Sequence, residues 1–223
     1  MQKNIIRNSK QLGIFASGNK SGGGFGAREL IENSLTGMLQ AEITVLVSNH
    51  ENGGVRKIAD EYGIPFELFK GPYIAEEYQK IVEKYNLDFV SLSGWLKLAL
   101  GLDPKKSINI HPGSLPKFGG ARMYGHFVHE AIWEAFQKGE VKKTEVTMHF
   151  VTEIYDDGPV IFRYPVWIRK DDTPETIAER VNKIEHGWQS YITNLVVQGK
   201  ISWDGENPDS LVVPENYNFH ISK

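Results

Sequence analysis

The sequence predicts an α/β fold, a doubly wound, mostly parallel mixed sheet of the Rossmann-like kind, and three observations carry that expectation. Short apolar runs alternate with stretches of helical spacing through the first half of the chain. A glycine-rich loop joins the first apolar run to the first helical stretch. The run Ser107-Ile108-Asn109-Ile110-His111 stops at Pro112 and passes into a loop dense in glycine and proline, the kind of place where open α/β sheets bind ligands.

In chain order, Leu12 to Ser17 reads as the first strand and ends at GNKSGGGFG. The helical stretch ARELIENSLTGMLQ follows. Strand, loop and helix in this order can cradle a phosphate on backbone N–H groups, with Lys20 adding a cation and Ser21 a hydroxyl; equally, the glycines can serve only to turn the chain sharply. The pattern is neither the Walker sequence nor a clean G-x-G-x-x-G. Glu42 to Ser48 is a buried strand, Val55 to Tyr62 a helix ended by Gly63, FELFK a third strand and Ala75 to Tyr85 another helix. Asp88 to Trp95 is a fourth strand running into a Ser-Gly break, and Trp95, Leu96, Leu98 and Leu100 then read as a short core helix, with a surface on which an aromatic or folded ring could lie as the alternative. SINIH is the fifth strand; its alternation is that of a half-buried strand, with Asn109 and His111 on one face.

Beyond Gly120, Tyr124 to Lys138 is an amphipathic helix closed by Gly139. TEVTMHFVTE and VIFRYPVWI alternate and are separated by a short loop, an antiparallel pair that makes the sheet mixed. Thr173 caps and Pro174 opens the last helix, which runs to about Gly199; the tail beyond it has little periodicity and is expected to lie on the surface or to be loosely ordered. The 223 residues, 40% hydrophobic, suit one domain over 1–223, with a core over about 12–200 and a C-terminal extension over 201–223.

A net charge of −3 gives no global basic field for nucleic acid or an anionic membrane, so an anionic ligand needs a local site. The chain has no cysteine, which excludes disulfides, thiolate metal sites and a Cys nucleophile and fits a reducing compartment. With no apolar stretch of membrane length and a polar start, MQKNIIRNSKQ, the expected location is the cytoplasm. Composition and motifs leave the oligomeric state open.

The titratable candidates are His111 beside Asn109, the pair Asp156-Asp157 before Gly158-Pro159, His149, and Glu185-His186. For His149 and His186 a structural or surface role is the first reading, and for Asp156-Asp157 it is turn chemistry. His126 and His129 lie three apart on a helix, a spacing more often solvent-facing than metal-binding. Ser17, Ser93 and Ser114 do not stand in G-x-S-x-G. Acid/base and electrostatic catalysis of a group transfer is what remains, His111 exchanging a proton and Asn109 donating to a developing oxyanion.

INIHPGSLPKFGG, followed about 30 residues on by HFVTEIYDDGPVI, resembles the paired signature of the 10-formyltetrahydrofolate-dependent formyltransferases. SGNKSG, SGWLKLAL and IEHGW extend the resemblance over about Leu12 to Leu195. It implies transfer of a formyl group from 10-formyltetrahydrofolate, a co-substrate, to a small phosphorylated amine, glycinamide ribonucleotide in purine synthesis, or alternatively to an amino sugar nucleotide. No metal is implied. By the same resemblance Asn109, His111 and Asp156 are catalytic; Leu96, Lys97, Leu98, Ala99, Thr152, Glu153, Ile154, Tyr155 and Asp156, with Asn109, border the folate. Lys20, Ser21 and Gly22 would hold the phosphate, and Asn182, Lys183, Ile184 and Glu185 the rest of the acceptor. The chain departs from the family pattern at Lys20, at Gly22 and at Asp157, which stands in place of a glycine. Leu115-Pro116 is expected to be a cis peptide, since the chain must turn straight after the strand.

Overall fold

The computed structural model describes residues 9–19 and 22–221. Lys20 and Ser21 therefore lie outside the described residues. One seven-stranded sheet runs through the molecule in the order β3-β2-β1-β4-β5-β6-β7. Its strands are β1 (Lys10–Phe15), β2 (Ala41–Ser48), β3 (Phe66–Leu68), β4 (Phe89–Ser93), β5 (Ser107–His111), β6 (Lys143–Phe150) and β7 (Val160–Trp167). The helices are α1 (Phe25–Leu35), α2 (Gly54–Tyr62), α3 (Ala75–Lys84), α4 (His126–Gln137) and α5 (Pro174–Val197). Strands β1 to β5 pair in parallel, and β6 and β7 add antiparallel to them. This is the mixed, doubly wound sheet that the alternation of strand and helix implies.

Successive side chains of a strand face opposite ways, and here both faces are covered. Leu12 and Ile14 of β1 pack with Ile43, Leu30 and Ile58 under α1 and α2, whereas Phe15 packs with Val45, Val47 and Tyr78 under α3. The third core joins β5, β6 and β7 to α4 and α5 through Ile108, Met148, Phe162, Ile132 and Ile192. Two expectations change for this reason. β5 and β6 are not half-buried, because helices cover one face and the functional loops the other; Thr147 and His149 are as buried as Val146 and Met148. The tail also adheres closely, with Ile201, Trp203 and Tyr217 buried in the third core.

Local chemistry sets the boundaries. Gly63 ends α2 at φ 65°, where a Cβ would strain the backbone. Thr173 opens α5 with a reciprocal cap: its hydroxyl accepts from the Thr176 N–H, and the Thr176 hydroxyl accepts from the Thr173 N–H. Pro174 sits in the first turn, where its missing N–H costs nothing. The stretch after β4 is not a helix. Gly94 takes φ 76°, the Ser17 hydroxyl accepts from the Leu96 N–H at 3.0 Å, and residues 95–100 become an irregular wall. No helix of the described residues is long and apolar enough to cross a membrane.

Candidate active site

Strand order reverses at β1, which has β2 on one side and β4 on the other, so the chain parts at the carboxyl ends of β1, β4 and β5. A cavity of about 520 Å³ opens there, walled by the loop after β1, residues 92–99, Asn109 and His111 at the end of β5, the segment around Asp156, and one face of α5.

Asn109, His111 and Asp156 converge in it. His111 is 4% exposed. Its Nε2 lies 2.7 Å from the Phe118 carbonyl oxygen, which can only accept, so the ring carries its proton on Nε2 and leaves Nδ1 toward Asp156 Oδ2 at 3.7 Å. The Gly120 N–H donates to Asp156 Oδ2 at 2.9 Å, and Asn109 Nδ2 lies 3.4 Å from Oδ1. Asp156 itself takes φ 55°, a left-handed conformation that Asp tolerates better than most residues and that turns its carboxylate back over β5. The loop between His111 and Gly120 contains the Leu115–Pro116 peptide, which is cis as expected.

His149 belongs to the same cluster. It stands beside Asn109 in the β5–β6 register and is 2% exposed. Its Nδ1 lies 2.7 Å from the Phe150 carbonyl oxygen and donates to it, and Asn109 Nδ2 lies 3.1 Å from its Nε2. That nitrogen is also 3.3 Å from Asp156 Oδ1, nearer than His111 is to the same carboxylate. A structural role is thus only part of its place here; the pairing of β5 with β6 brings it in, a long-range contact that strand periodicity does not carry.

Burial dominates the electrostatics of His111 and pulls its pKa below the ordinary value; the Asp156 charge and the Phe118 carbonyl act upward and do not overcome it, and His149 adds to the lowering. Burial pushes Asp156 up, but the contact with His149, the attraction of His111 in its protonated form and the Gly120 N–H outweigh it and hold the carboxyl below its usual range. The resting pair is a carboxylate facing a neutral imidazole.

Most of the other residues expected at the site reach the cavity. Leu96, Lys97, Leu98, Ala99, Thr152, Ile154, Tyr155, Asn182 and Glu185 line it. Glu153 does not; it is exposed. Nor do Lys183 and Ile184. Residues 178, 182, 185, 186 and 189 share one face of α5 by helical spacing, which leaves Lys183 exposed beside Arg180 and Ile184 against the third core. Gly22 is also off the cavity wall, its N–H taken by the Asn19 carboxamide at 2.7 Å; Gly18, Asn19 and Gly23 to Gly26 line the cavity instead. α1 has Gly24 at its N-cap and no side-chain cap, leaving its first N–H groups for a ligand.

Glu185 has no hydrogen-bond partner among the described residues, and burial raises its carboxyl to about 7. Gln189, one turn further on, is buried at the cavity wall and contacts Ser93. His129 lines the cavity rather than facing solvent, and burial brings its pKa down to about 4. On the other wall, Tyr78 accepts from Trp95 Nε1–H and donates to the Leu98 carbonyl, both at 2.9 Å, tying the irregular segment to α3.

The sequence profile described as formyl transferase matches residues 14–195. The chain belongs to the formyl transferase family. Within that family it is 33% identical over 220 residues to the chloroplastic phosphoribosylglycinamide formyltransferase of Arabidopsis thaliana, covering 90% of this chain and 73% of that one. It is likewise 33% identical to phosphoribosylglycinamide formyltransferase of Bacillus subtilis, covering 80% of this chain and 90% of the relative. The solved structure of phosphoribosylglycinamide formyltransferase from Bacillus halodurans superposes with a TM-score of 0.71 at 28% identity, over 84% of this chain and 95% of that one. The family match runs from the carboxyl end of β1 through most of α5.

Proposed function

We propose that this protein transfers the formyl group of 10-formyltetrahydrofolate to the amine of glycinamide ribonucleotide, a step of purine synthesis, with Asn109, His111 and Asp156 as its catalytic residues. The observation that carries the reading is the meeting of these three side chains at the switch point of a formyl transferase fold. Relatives covering most of this chain carry the same activity in their names.

The wall from Leu96 to Ala99 with Ile154 and Tyr155 would take the pterin, and the uncapped start of α1 with the glycine loop the acceptor's phosphate. Glu185 would accept from the acceptor's donor groups, a role that suits a carboxyl with no partner of its own. As the acceptor amine adds to the formyl carbon, its proton passes to His111 Nδ1, the ring nitrogen the Phe118 carbonyl leaves free. The resulting imidazolium faces Asp156 and donates from Nδ1 to the oxyanion, while Asn109 exchanges its long 3.4 Å contact with Asp156 for a bond to the same oxygen. The leaving folate nitrogen takes the proton back, so the ring ends neutral and the amine has gained the formyl group in place of one hydrogen. The proposed compartment is the cytoplasm, on a composition without cysteine.

Purified protein with 10-formyltetrahydrofolate and three acceptors, glycinamide ribonucleotide, an amino sugar nucleotide and water, tests the reading. Turnover confined to glycinamide ribonucleotide supports it; transfer to the sugar nucleotide, or formate release with neither acceptor used, overturns the assignment of the acceptor.

A further inference from the structure

We propose that Arg163 is a positioning residue for His111: by holding the Leu115 carbonyl it fixes the loop whose Phe118 carbonyl keeps the His111 proton on Nε2. Its effect on turnover rests on the activity proposed above; its effect on His111 does not.

Arg163 and Thr147 are direct partners in the β6–β7 register, and Glu145 lies two residues before Thr147 on the same face of the sheet. The Thr147 hydroxyl donates to the Gly113 carbonyl at 2.8 Å. Arg163 Nη1 donates to the Leu115 carbonyl and to Glu145 Oε2, each at 3.0 Å. Neighbouring strands thus grip two alternate carbonyls of the loop. The grip answers a need of that loop, because Pro112 and Pro116 have no N–H and its buried carbonyls must find donors elsewhere.

From Leu115 the constraint passes on in short steps. The Phe118 N–H donates to the Ser114 carbonyl at 2.8 Å and the Gly119 N–H to the Pro116 carbonyl at 3.2 Å, closing a tight turn. Phe118, 4% exposed, then presents its carbonyl to His111 Nε2–H at 2.7 Å. Arg163 is itself held from behind: its backbone N–H donates to the Phe219 carbonyl, and the Tyr217 hydroxyl donates to the Ile161 carbonyl at 2.7 Å, so the C-terminal tail braces the outer strand.

The ion pair stands where solvent does little for it, with the Arg163 and Glu145 side chains 14% and 6% exposed. Removing two such charges from water roughly cancels their attraction, so stability is a weak reason for the pair, and fixed geometry is the better one. The charged or titratable groups facing His111 are Asp156, His149 and His129, and Arg163 is not among them; it acts through the loop and not through its field.

The test compares wild type with Arg163→Met, Arg163→Lys and the double variant Glu145→Leu/Arg163→Met, reading turnover, both Michaelis constants and the pH titration and tautomer of His111 by ¹⁵N NMR. The double variant leaves no orphaned buried carboxylate, so it folds where the single variant fails to. Arg163→Met and the double variant are expected to lose about 10- to 100-fold in turnover with Michaelis constants within about twofold of wild type. The His111 pKa falls in both, since the Phe118 carbonyl no longer favours the cation, and the tautomer becomes mixed. Arg163→Lys, which keeps a cation beside both oxygens, restores most of the turnover. Arg180→Met, which breaks the pair between Arg180 of α5 and Asp172 just before that helix, lowers the melting temperature and leaves the His111 titration in place. Wild-type turnover, or an unshifted His111 with a single tautomer, in the double variant overturns the proposal. Formyl transfer absent from the wild type overturns the activity reading alone, because the titration still decides the role of Arg163.

Discussion

Replacing Asp156 by Asn removes one charge from a site whose geometry should otherwise persist. Asn tolerates the φ of 55° that Asp156 adopts, and its carbonyl oxygen still accepts from the Gly120 N–H. What changes is the field at His111 Nδ1, 3.7 Å away. At an effective dielectric constant of about 20 a charge at that distance is worth about 4 kcal/mol, an upper bound of about three pKa units. Even a third of it matters, because burial already holds His111 below its ordinary value in the wild type. The His111 titration should move down by about one to three units, and turnover should fall by about 10²- to 10⁴-fold, with folate binding retained. Asp157→Asn is the control: Asp157 is exposed and makes no hydrogen bond or ion pair among the described residues, so the change should stay within about twofold. Turnover, folate binding by titration calorimetry and the His111 NMR titration are measured in both variants. Equal losses in the two, or a His111 that does not shift in Asp156→Asn, would refute the reasoning even in a proven formyltransferase.

Glu185→Gln should raise the Michaelis constant for the acceptor by about tenfold and spare that for the folate. Because burial sets the Glu185 carboxyl at about 7, the wild-type acceptor constant should worsen as pH falls below 7, and the variant should lack that dependence. Tyr78→Phe leaves Trp95 Nε1–H and the Leu98 carbonyl unpaired, which should cost about 1–3 kcal/mol in denaturant melts and weaken the folate without changing the acceptor constant. His129 has a folded pKa of about 4 against 6.5 unfolded, so its contribution to stability is complete above pH 6.5 and is lost as pH falls toward 4, about 3 kcal/mol in all. His129→Gln should flatten the stability profile across that window, and an unchanged slope would show that the ring is not held neutral.

What could be read from the sequence was whatever is local. The strands and helices follow from period and from caps such as Thr173-Pro174 and Gly63, and Asn109 with His111 follow from a two-residue spacing on one strand. The failures share a physical cause. Trp95 to Leu100 have the apolar content of a core helix, but the left-handed Gly94 and the tie of Leu96 to Ser17, 79 residues away, hold them as an irregular wall. The resemblance to the family places Lys183 and Ile184 at the acceptor, whereas helical spacing turns them from the cavity. His149 and Arg163 act through pairings of β6 with β5 and β7 that no period within one strand displays.

The same pairings explain why the proposed mechanism runs on imidazoles. Lys97 lines the cavity, but its ammonium sits over the Tyr73 ring, 5.4 Å from the centroid, and the Arg163 guanidinium is spent on Glu145 and Leu115 behind the catalytic loop. A permanent cation beside Asp156 would stabilise the carboxylate equally before and during the reaction, a uniform effect that does nothing for the chemical step. A buried histidine gives a field that depends on the reaction coordinate. Desolvation keeps His111 neutral while the negative charge beside it is that of Asp156. A second negative charge on the tetrahedral oxygen tips the balance toward the imidazolium when the barrier is reached. Such a device works only if the ring cannot rotate to put its lone pair elsewhere, and the Phe118 carbonyl provides that constraint. On the proposed mechanism the strength of catalysis therefore depends on how firmly the 112–120 loop is held as well as on the three side chains proposed to meet the substrates.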